Sequence, residues 1–227
     1  LVATADALLV GVPASTSASI LEQFDRMLVM EDAEIEDASS EYEWSLAIGS
    51  ECGTVSGAIA AGRLELFGLD EQALVFGAGT APQLEAPELD EVAWTRLRLE
   101  RGLPQFGVDF DDDDRPHEAA LDRRAVDWKK GCYLGQEVVC MQDMRGKVSR
   151  SVFRLGFGAD PAANIPVGTA VLDSSGTQLG VLSSVAYSER AERWLAMSQL
   201  PSAKTSEPLF VGAESGQLRA ELVTDQF

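Results

Sequence analysis

Lys130-Gly131-Cys132-Tyr133-Leu134-Gly135-Gln136-Glu137 is the stretch whose reading decides the fold. Two glycines flank a short apolar step that carries one cysteine, and an amide and a carboxylate follow at once. Gly131 and Gly135 admit backbone conformations that a Cβ forbids, so the turn can present Cys132 to solvent. Lys129 and Lys130 set positive charge beside the thiol, which favours thiolate. Gln136 and Glu137 either orient Cys132 or fix and cap the loop. On chemistry alone the segment also reads as an ordinary glycine-punctuated turn leading into a helix or strand.

Three further elements lie on either side. Upstream stands Arg96-Leu97-Arg98-Leu99-Glu100-Arg101-Gly102-Leu103-Pro104, then Arg115-Pro116-His117-Glu118-Ala119-Ala120-Leu121. Downstream is Arg145-Gly146-Lys147-Val148. KGCYLGQE resembles the KGCYxGQE signature of the YgfZ family, the folate-binding proteins related to the glycine-cleavage T-protein. The flanking elements resemble that family's "R-hydrophobic-x-x-G-x-P", "P-x-E-x-x-L" and "RGK" steps, in the same order from Arg96 to Val148. Outside that window the similarity is one of pattern. In the family a small apolar pair and an arginine follow the signature. Here Val138-Val139 is followed by Cys140, so the usual charge is missing.

The resemblance implies an α+β fold: a T-protein-like folate-binding core over residues 1–147 and a small C-terminal β-barrel over 148–227. It implies tetrahydrofolate, or a related folate, as cofactor. A pterin ring offers an N–H and an exocyclic amine side by side, and a carboxylate accepts both as a bidentate pair. Glu118 stands at the P-x-E position where the T-protein glutamate is understood to do this; its alternative is a helix-start glutamate serving the backbone. Arg96, Arg98 and Tyr133 join it as cofactor-contact candidates, the arginines because a guanidinium fork suits the glutamate tail of folate. Both arginines also read as surface or buried structural partners. Cys132 is the candidate reactive thiol, with Lys130, Gln136 and Glu137 around it.

The YgfZ branch implies a folate-dependent accessory factor for iron–sulfur proteins, supporting cluster assembly or repair, including that of tRNA-modifying enzymes. Its partners would be iron–sulfur clients or assembly factors. If the chain is an enzyme, the expectation is a folate-dependent one-carbon transferase, an aminomethyltransferase. That enzyme lacks the KGCY cysteine and uses an aspartate from an early segment. A relative that only binds a protein partner is the third reading. The family carries a segment before the present start, so a front portion is expected to be absent.

Charge and composition bound the alternatives. The chain has 37 acidic and 18 basic residues, a net charge of −19, which repels phosphate backbones and anionic membranes. Direct nucleic-acid binding is not expected. No apolar run is long enough for a membrane span. The N-terminus lacks the basic region of a signal peptide. Cys52, Cys132 and Cys140 are not spaced as a metal motif, and with His117 the only histidine no zinc site is expected. Free thiols suit a reducing cytoplasm. His117 beside Glu118 is a possible general base, a role a lone exposed histidine seldom fills. The acidic run Asp109-Phe110-Asp111-Asp112-Asp113-Asp114 lacks the glycine and glutamate of a calcium loop and reads as a solvated loop.

Periodicity predicts a strand over Ala7–Val12 and a helix capped by Ser17 or Ser19, with Ile20, Leu21, Phe24, Met27 and Leu28 packed into a core. It predicts an exposed strand and turn over Glu31–Glu43, and strands at Trp44–Ile48, Arg63–Leu69 and Leu74–Phe76. A short helix is expected over Val55–Ala61 and a loop over Gly77–Pro87. Leu89–Gly102 is the strongest helix, closed by its glycine. Trp128 reads as a core aromatic, or as lining for a cofactor channel. Beyond Val148, Val152–Phe157 alternates, and short runs between turns at Asp160-Pro161 and Ser174-Ser175-Gly176 predict strands at Ala170–Leu172, Leu179–Leu182, Trp194–Met197 and Leu218–Val223, the pattern of a small barrel or sandwich.

Overall fold

The computed structural model describes residues 2–3, 5–29, 32–48, 60–63, 72–78, 87–146, 148–158, 160–213 and 216–224. The chain divides into two compact units, Leu1–Pro87 and Glu88–Phe227.

The first unit holds a two-residue antiparallel pair, β1 (Val2–Ala3) with β2 (Leu8–Leu9), and helix α1 (Ser17–Met27). An antiparallel sheet of order β3-β5-β4 follows, from β3 (Tyr42–Ile48), β4 (Ala60–Arg63) and β5 (Gln72–Ala78). The expected first strand thus shrinks to Leu8–Leu9. Thr16, not a serine, occupies the N-cap of α1, and its hydroxyl turns back to Pro13 O at 2.9 Å. No residue of α1 is buried, and Phe24 and Met27 are 46% and 56% exposed. The helical stripe is real, but periodicity marks a face that can be covered, not one that is. Asp32–Glu41 forms turns without a strand. Ala60 and Ala61 belong to β4 and not to a helix, and Gly77 and Ala78 close β5 instead of opening a loop. The rest of those two expected segments, 55–59 and 79–86, and residues 64–69 of an expected strand lie outside the described residues.

The second unit is built on a closed barrel of order β10-β11-β6-β9-β8-β7. Its strands are β6 (Arg150–Phe157), β7 (Ala170–Leu172), β8 (Gln178–Ser188), β9 (Arg193–Pro201), β10 (Leu209–Ala213) and β11 (Gly216–Leu222). Helix α2 (Glu91–Glu100) packs on β8 and β9, and helix α3 (Gln136–Arg145) precedes β6. The α+β class with a small barrel is therefore observed. β10 is the strand that sequence reading missed.

Two apolar clusters hold this unit. One gathers Leu155, Phe157, Val171, Leu182, Leu200 and Val211. The other joins Leu99 of α2 to Val152, Ala186, Leu195 and Met197. β9 serves both, with Ala196 and Leu200 in the first and Leu195 and Met197 in the second. β8 reaches both through a bulge between Leu182 and Ser184. The extra residue shifts side-chain parity, so Leu182 and Val185 pack with the first cluster and Ala186 with the second.

The bulge also explains why Ser183 and Ser184, neighbours that a regular strand points to opposite faces, reach one acceptor. Ser183 Oγ and Ser184 Oγ donate to Asp109 Oδ1 at 2.6 and 2.5 Å. Asp109 Oδ2 accepts Arg98 Nη1–H at 2.6 Å and the Gln105 N–H at 2.9 Å. Arg98 also donates to Ser184 Oγ. The Arg98 and Asp109 side chains are 3% and 0% exposed. The acidic run is therefore not wholly a solvated loop: Asp111, Asp112 and Asp113 are exposed, but Asp109 anchors a buried ion pair. A run of like charges hides one member that faces a buried cation.

Candidate functional site

Between α2 and α3 the chain runs from Arg101 to Gly135 without a regular helix or strand. The signature residues sit on this irregular stretch, so backbone and side-chain bonds to the barrel must fix them. Ser151 Oγ donates to His117 O at 2.8 Å. The Val152 N–H donates to Glu118 O at 2.8 Å. The Pro116–Glu118 turn is thereby laid on the first residues of β6. Within it the Glu118 N–H donates to Arg115 O at 2.8 Å, and the Leu121 N–H to Pro116 O at 2.7 Å. Ala120 follows at φ +57°, a left-handed value uncommon for a residue with a Cβ.

Glu118 is half-buried, and its Oε2 accepts the Arg115 N–H at 3.0 Å. A carboxylate has about four lone-pair sites. The backbone role expected of a turn-start glutamate is thus present, with acceptor capacity to spare.

The second arm carries Cys132. Gly135 is the N-cap of α3 at φ +81°, a conformation that favours glycine. Gln136 Oε1 accepts the Tyr133 N–H at 3.2 Å, while the Gln136 N–H donates to Tyr133 O at 3.2 Å. This reciprocal pair pins the turn, so Gln136 fixes the loop. Cys132 stands exposed and Cys140 half-buried, both as free thiols. Lys130 Nζ lies 4.9 Å from the Tyr133 ring centroid, a cation–π contact. The Lys129 N–H donates to Asp127 Oδ1 at 2.8 Å. Glu137 is exposed in the first turn of α3, where the helix dipole favours a carboxylate.

His117 joins the two arms. Its Nε2 is 3.4 Å from Asp143 Oδ1 on α3, and its ring centroid is 5.9 Å from that of Trp128. Trp128 is 45% exposed, with its indole N–H on Asp122 O at 3.2 Å, so it is not a core aromatic. Its position just before the lysine pair keeps it at the surface. Among the described residues His117 Nδ1 and Gln142 Oε1 are buried without a hydrogen-bond partner. Sequence reading overlooked Gln142 and Asp143. The only available signal was their position within the first two turns after the signature.

The two arginines of α2 take other partners. Arg98 fills the buried structural role through Asp109, with its Nε left without a hydrogen-bond partner. Arg96 pairs with Glu189. The hydrogen bond from Arg96 holds the Glu189 carboxyl below the usual carboxylate range, and Glu189 raises Arg96 in turn. Both line a groove of about 680 Å³ between α2 and the barrel, with Trp94, Tyr187 and Trp194 among its walls. Glu118 and Cys132 are not part of its lining. Among the described residues no group of three or more His, Cys, Asp and Glu is placed to hold a metal ion. No helix among them is long and apolar enough to cross a membrane.

This barrel with its packed helices defines an α+β protein of the aminomethyltransferase fold. A solved glycine-cleavage aminomethyltransferase T from Bartonella henselae superposes with a TM-score of 0.50 at 24% identity, covering 58% of this chain and 37% of that one. A mitochondrial iron–sulfur cluster assembly factor IBA57 homolog from Chaetomium globosum is 36% identical over 86 residues, 37% of this chain and 20% of that protein. An aminomethyltransferase from Staphylococcus carnosus is 29% identical over 102 residues, 45% of this chain and 27% of that protein. The matched stretches thus span about a quarter of these relatives or less. No protein-family model matches the chain. The chain is related to the YgfZ-type folate-binding proteins and, with them, to the glycine-cleavage T-protein family.

Proposed function

We propose that this protein is a tetrahydrofolate-binding accessory factor that supports iron–sulfur cluster assembly or repair, with effects reaching tRNA-modifying iron–sulfur enzymes. The observation that carries the reading is Cys132, an exposed thiol on a turn fixed by Gly135 and Gln136 and joined through His117 to the Glu118 turn. A thiol held out on a pinned turn is suited to chemistry with a partner, whereas a structural cysteine is buried. The kinship with an assembly factor points the same way.

Glu118 would hold the pterin. Its carboxylate retains acceptor sites for two adjacent N–H donors, and the orphaned His117 Nδ1 and Gln142 Oε1 add polar capacity at the same junction. A bound folate supplies a carrier for one-carbon units. The chain's own residues hold and orient it: Glu118 by charge-assisted hydrogen bonds, Tyr133 by its ring, and Arg96 as the remaining arginine for an anionic tail once released from Glu189. Lys130 and Glu137 set the charge around the thiol. Partners are then iron–sulfur clients or assembly factors, in a reducing compartment such as the cytoplasm.

The aminomethyltransferase reading stands second, supported by the relative from S. carnosus. Calorimetric titration with tetrahydrofolate under reducing conditions tests the cofactor. Glu118→Gln keeps an acceptor for the Arg115 N–H but loses the charge, and should weaken binding by about 1.5–3 kcal/mol. Equal affinity would place the pterin elsewhere. Cys132→Ser should bind folate normally yet fail to support iron–sulfur enzymes in a depleted cell. Full complementation by that variant would remove the thiol from the mechanism, and aminomethyl transfer by it would favour the second reading.

A further inference from the structure

Helix α3 shows an apolar stripe to solvent. Helical spacing sets Val138, Met141 and Met144 on one side, with Leu134 just ahead of them. These four are 44%, 48%, 86% and 80% exposed, and the exposed Glu137 lies on the same side. Away from them Val139 and Cys140 are half-buried and Gln142 is only 8% exposed with its Oε1 unpartnered, while Asp143, its side chain 54% exposed, meets His117 from the edge. A surface helix ordinarily buries its apolar stripe and shows its polar one. A contiguous exposed apolar patch marks an interaction surface, and methionines suit surfaces that adapt to a partner.

The charge around the stripe is equally out of character. Lys129 and Lys130 are exposed before α3, and Arg145 and Arg150 at its far end. From Trp128 to Ser151 the sequence has five basic and two acidic residues, in a chain of net charge −19. Screening beyond roughly 8 Å means that this local sign governs a docked surface.

We propose that the outward face of α3, with the Cys132 turn at its leading end, is a docking surface for a separate acidic protein. The partner lays an apolar ridge along Val138, Met141 and Met144, and its carboxylates reach Lys129, Lys130 and Arg145. This goes beyond the folate reading and does not rest on it.

The test uses the full-length protein labelled with ¹³C at its methionine methyls. The probe is a synthetic amphipathic helix with a leucine seam flanked by glutamates; a lysine-flanked twin is the control. The Met141 and Met144 signals should shift with the glutamate peptide while Met27 and Met197 stay still. Affinity should be on the order of tenfold weaker for the lysine twin, as expected when several facing charges of modest individual worth are reversed. The double variant Met141→Gln, Met144→Gln, at exposed positions, should melt like the parent and lose the response. Equal response to both peptides overturns the proposal. So do methionines already protected in the protein alone, which means that its own chain covers the face. Shifts that grow with protein concentration alone, or appear only with phosphatidylserine vesicles, overturn it in favour of self-association or a membrane.

Discussion

Replacing Asp109 with alanine should destabilise the second unit more than any exposed-residue change in it. The carboxylate accepts four hydrogen bonds, from Arg98, Gln105, Ser183 and Ser184. Removing it leaves the Arg98 guanidinium 3% exposed and without its counter-charge. Stranding one member of a buried pair costs about 3–5 kcal/mol, far above the ~0–1 kcal/mol of a surface pair such as Lys204–Glu207. Arg98→Met should cost less than Asp109→Ala, because Asp109 keeps three donors. The double variant should cost less than the two singles summed, because no charge is then stranded. Urea unfolding followed by tryptophan fluorescence measures this, in a Trp44→Phe background so that the signal comes from the second unit. The Tm should fall by roughly 10 °C at about 2–4 °C per kcal/mol. A loss below about 1 kcal/mol for Asp109→Ala, or strict additivity in the double variant, would refute the buried-pair reasoning.

Two further outcomes follow from the barrel. A Cβ on Gly180 would stand 2.6 Å from Gln199 O, a backbone atom that cannot step aside, so Gly180→Ala should lose about 1–3 kcal/mol in the same unfolding assay. Asp173 accepts from the Ser175 hydroxyl and from the Thr177 and Ser175 N–H groups, and these bonds hold its carboxyl below the usual range. A depressed carboxylate stabilises the fold above its unfolded pKa, and the gain is lost as pH falls through the folded value. Asp173→Asn should therefore melt lower than the parent at neutral pH and converge with it in acid; a gap that persists in acid would be inconsistent with linkage.

The sequence was most legible where one physical signal dominated. Alternation located β6, short apolar runs between turns located β7, β8, β9 and β11, and Gly102 closes α2 as capping chemistry requires. β10, Leu209-Phe210-Val211-Gly212-Ala213, was missed although it is an apolar run like those of β7 and β9. Asp109 escaped for a physical reason. Its neighbours in sequence are solvated carboxylates, and only the approach of Arg98 from α2 and of two serines from a bulge distinguishes it. A bulge displaces a side chain by one residue and leaves no trace in composition. At the site, the turn glycine was readable, whereas the exposure of Cys132 and the fate of Arg98 were not. An arginine fork suits a folate carboxylate and a buried aspartate equally, and tertiary context alone decides between them.

The site lies on irregular chain, yet it inherits its geometry from the barrel. Arg154 reaches from β6 to Glu100 O at 2.9 Å, closing the end of α2, and Arg124 holds Gly102 O at 2.8 Å. Gln199 of β9 donates to Asp114 Oδ1 at 2.5 Å, and Ser151 and Val152 of β6 seat the Glu118 turn. His117 then passes that fixed position on to α3 through Asp143. The stretch from α2 to α3 is therefore pinned at intervals, mostly by groups of β6 and β9, and most of these pins end on its backbone carbonyls. Placement of this kind tolerates changes in the loop's exposed residues, such as Asp111 to Asp113. It does not tolerate loss of the first residues of β6, where Ser151 supports His117 O and the Val152 amide supports Glu118 O. The Glu118 turn and the helix behind the Cys132 turn are thus linked through one strand end and one histidine, with no regular element between them.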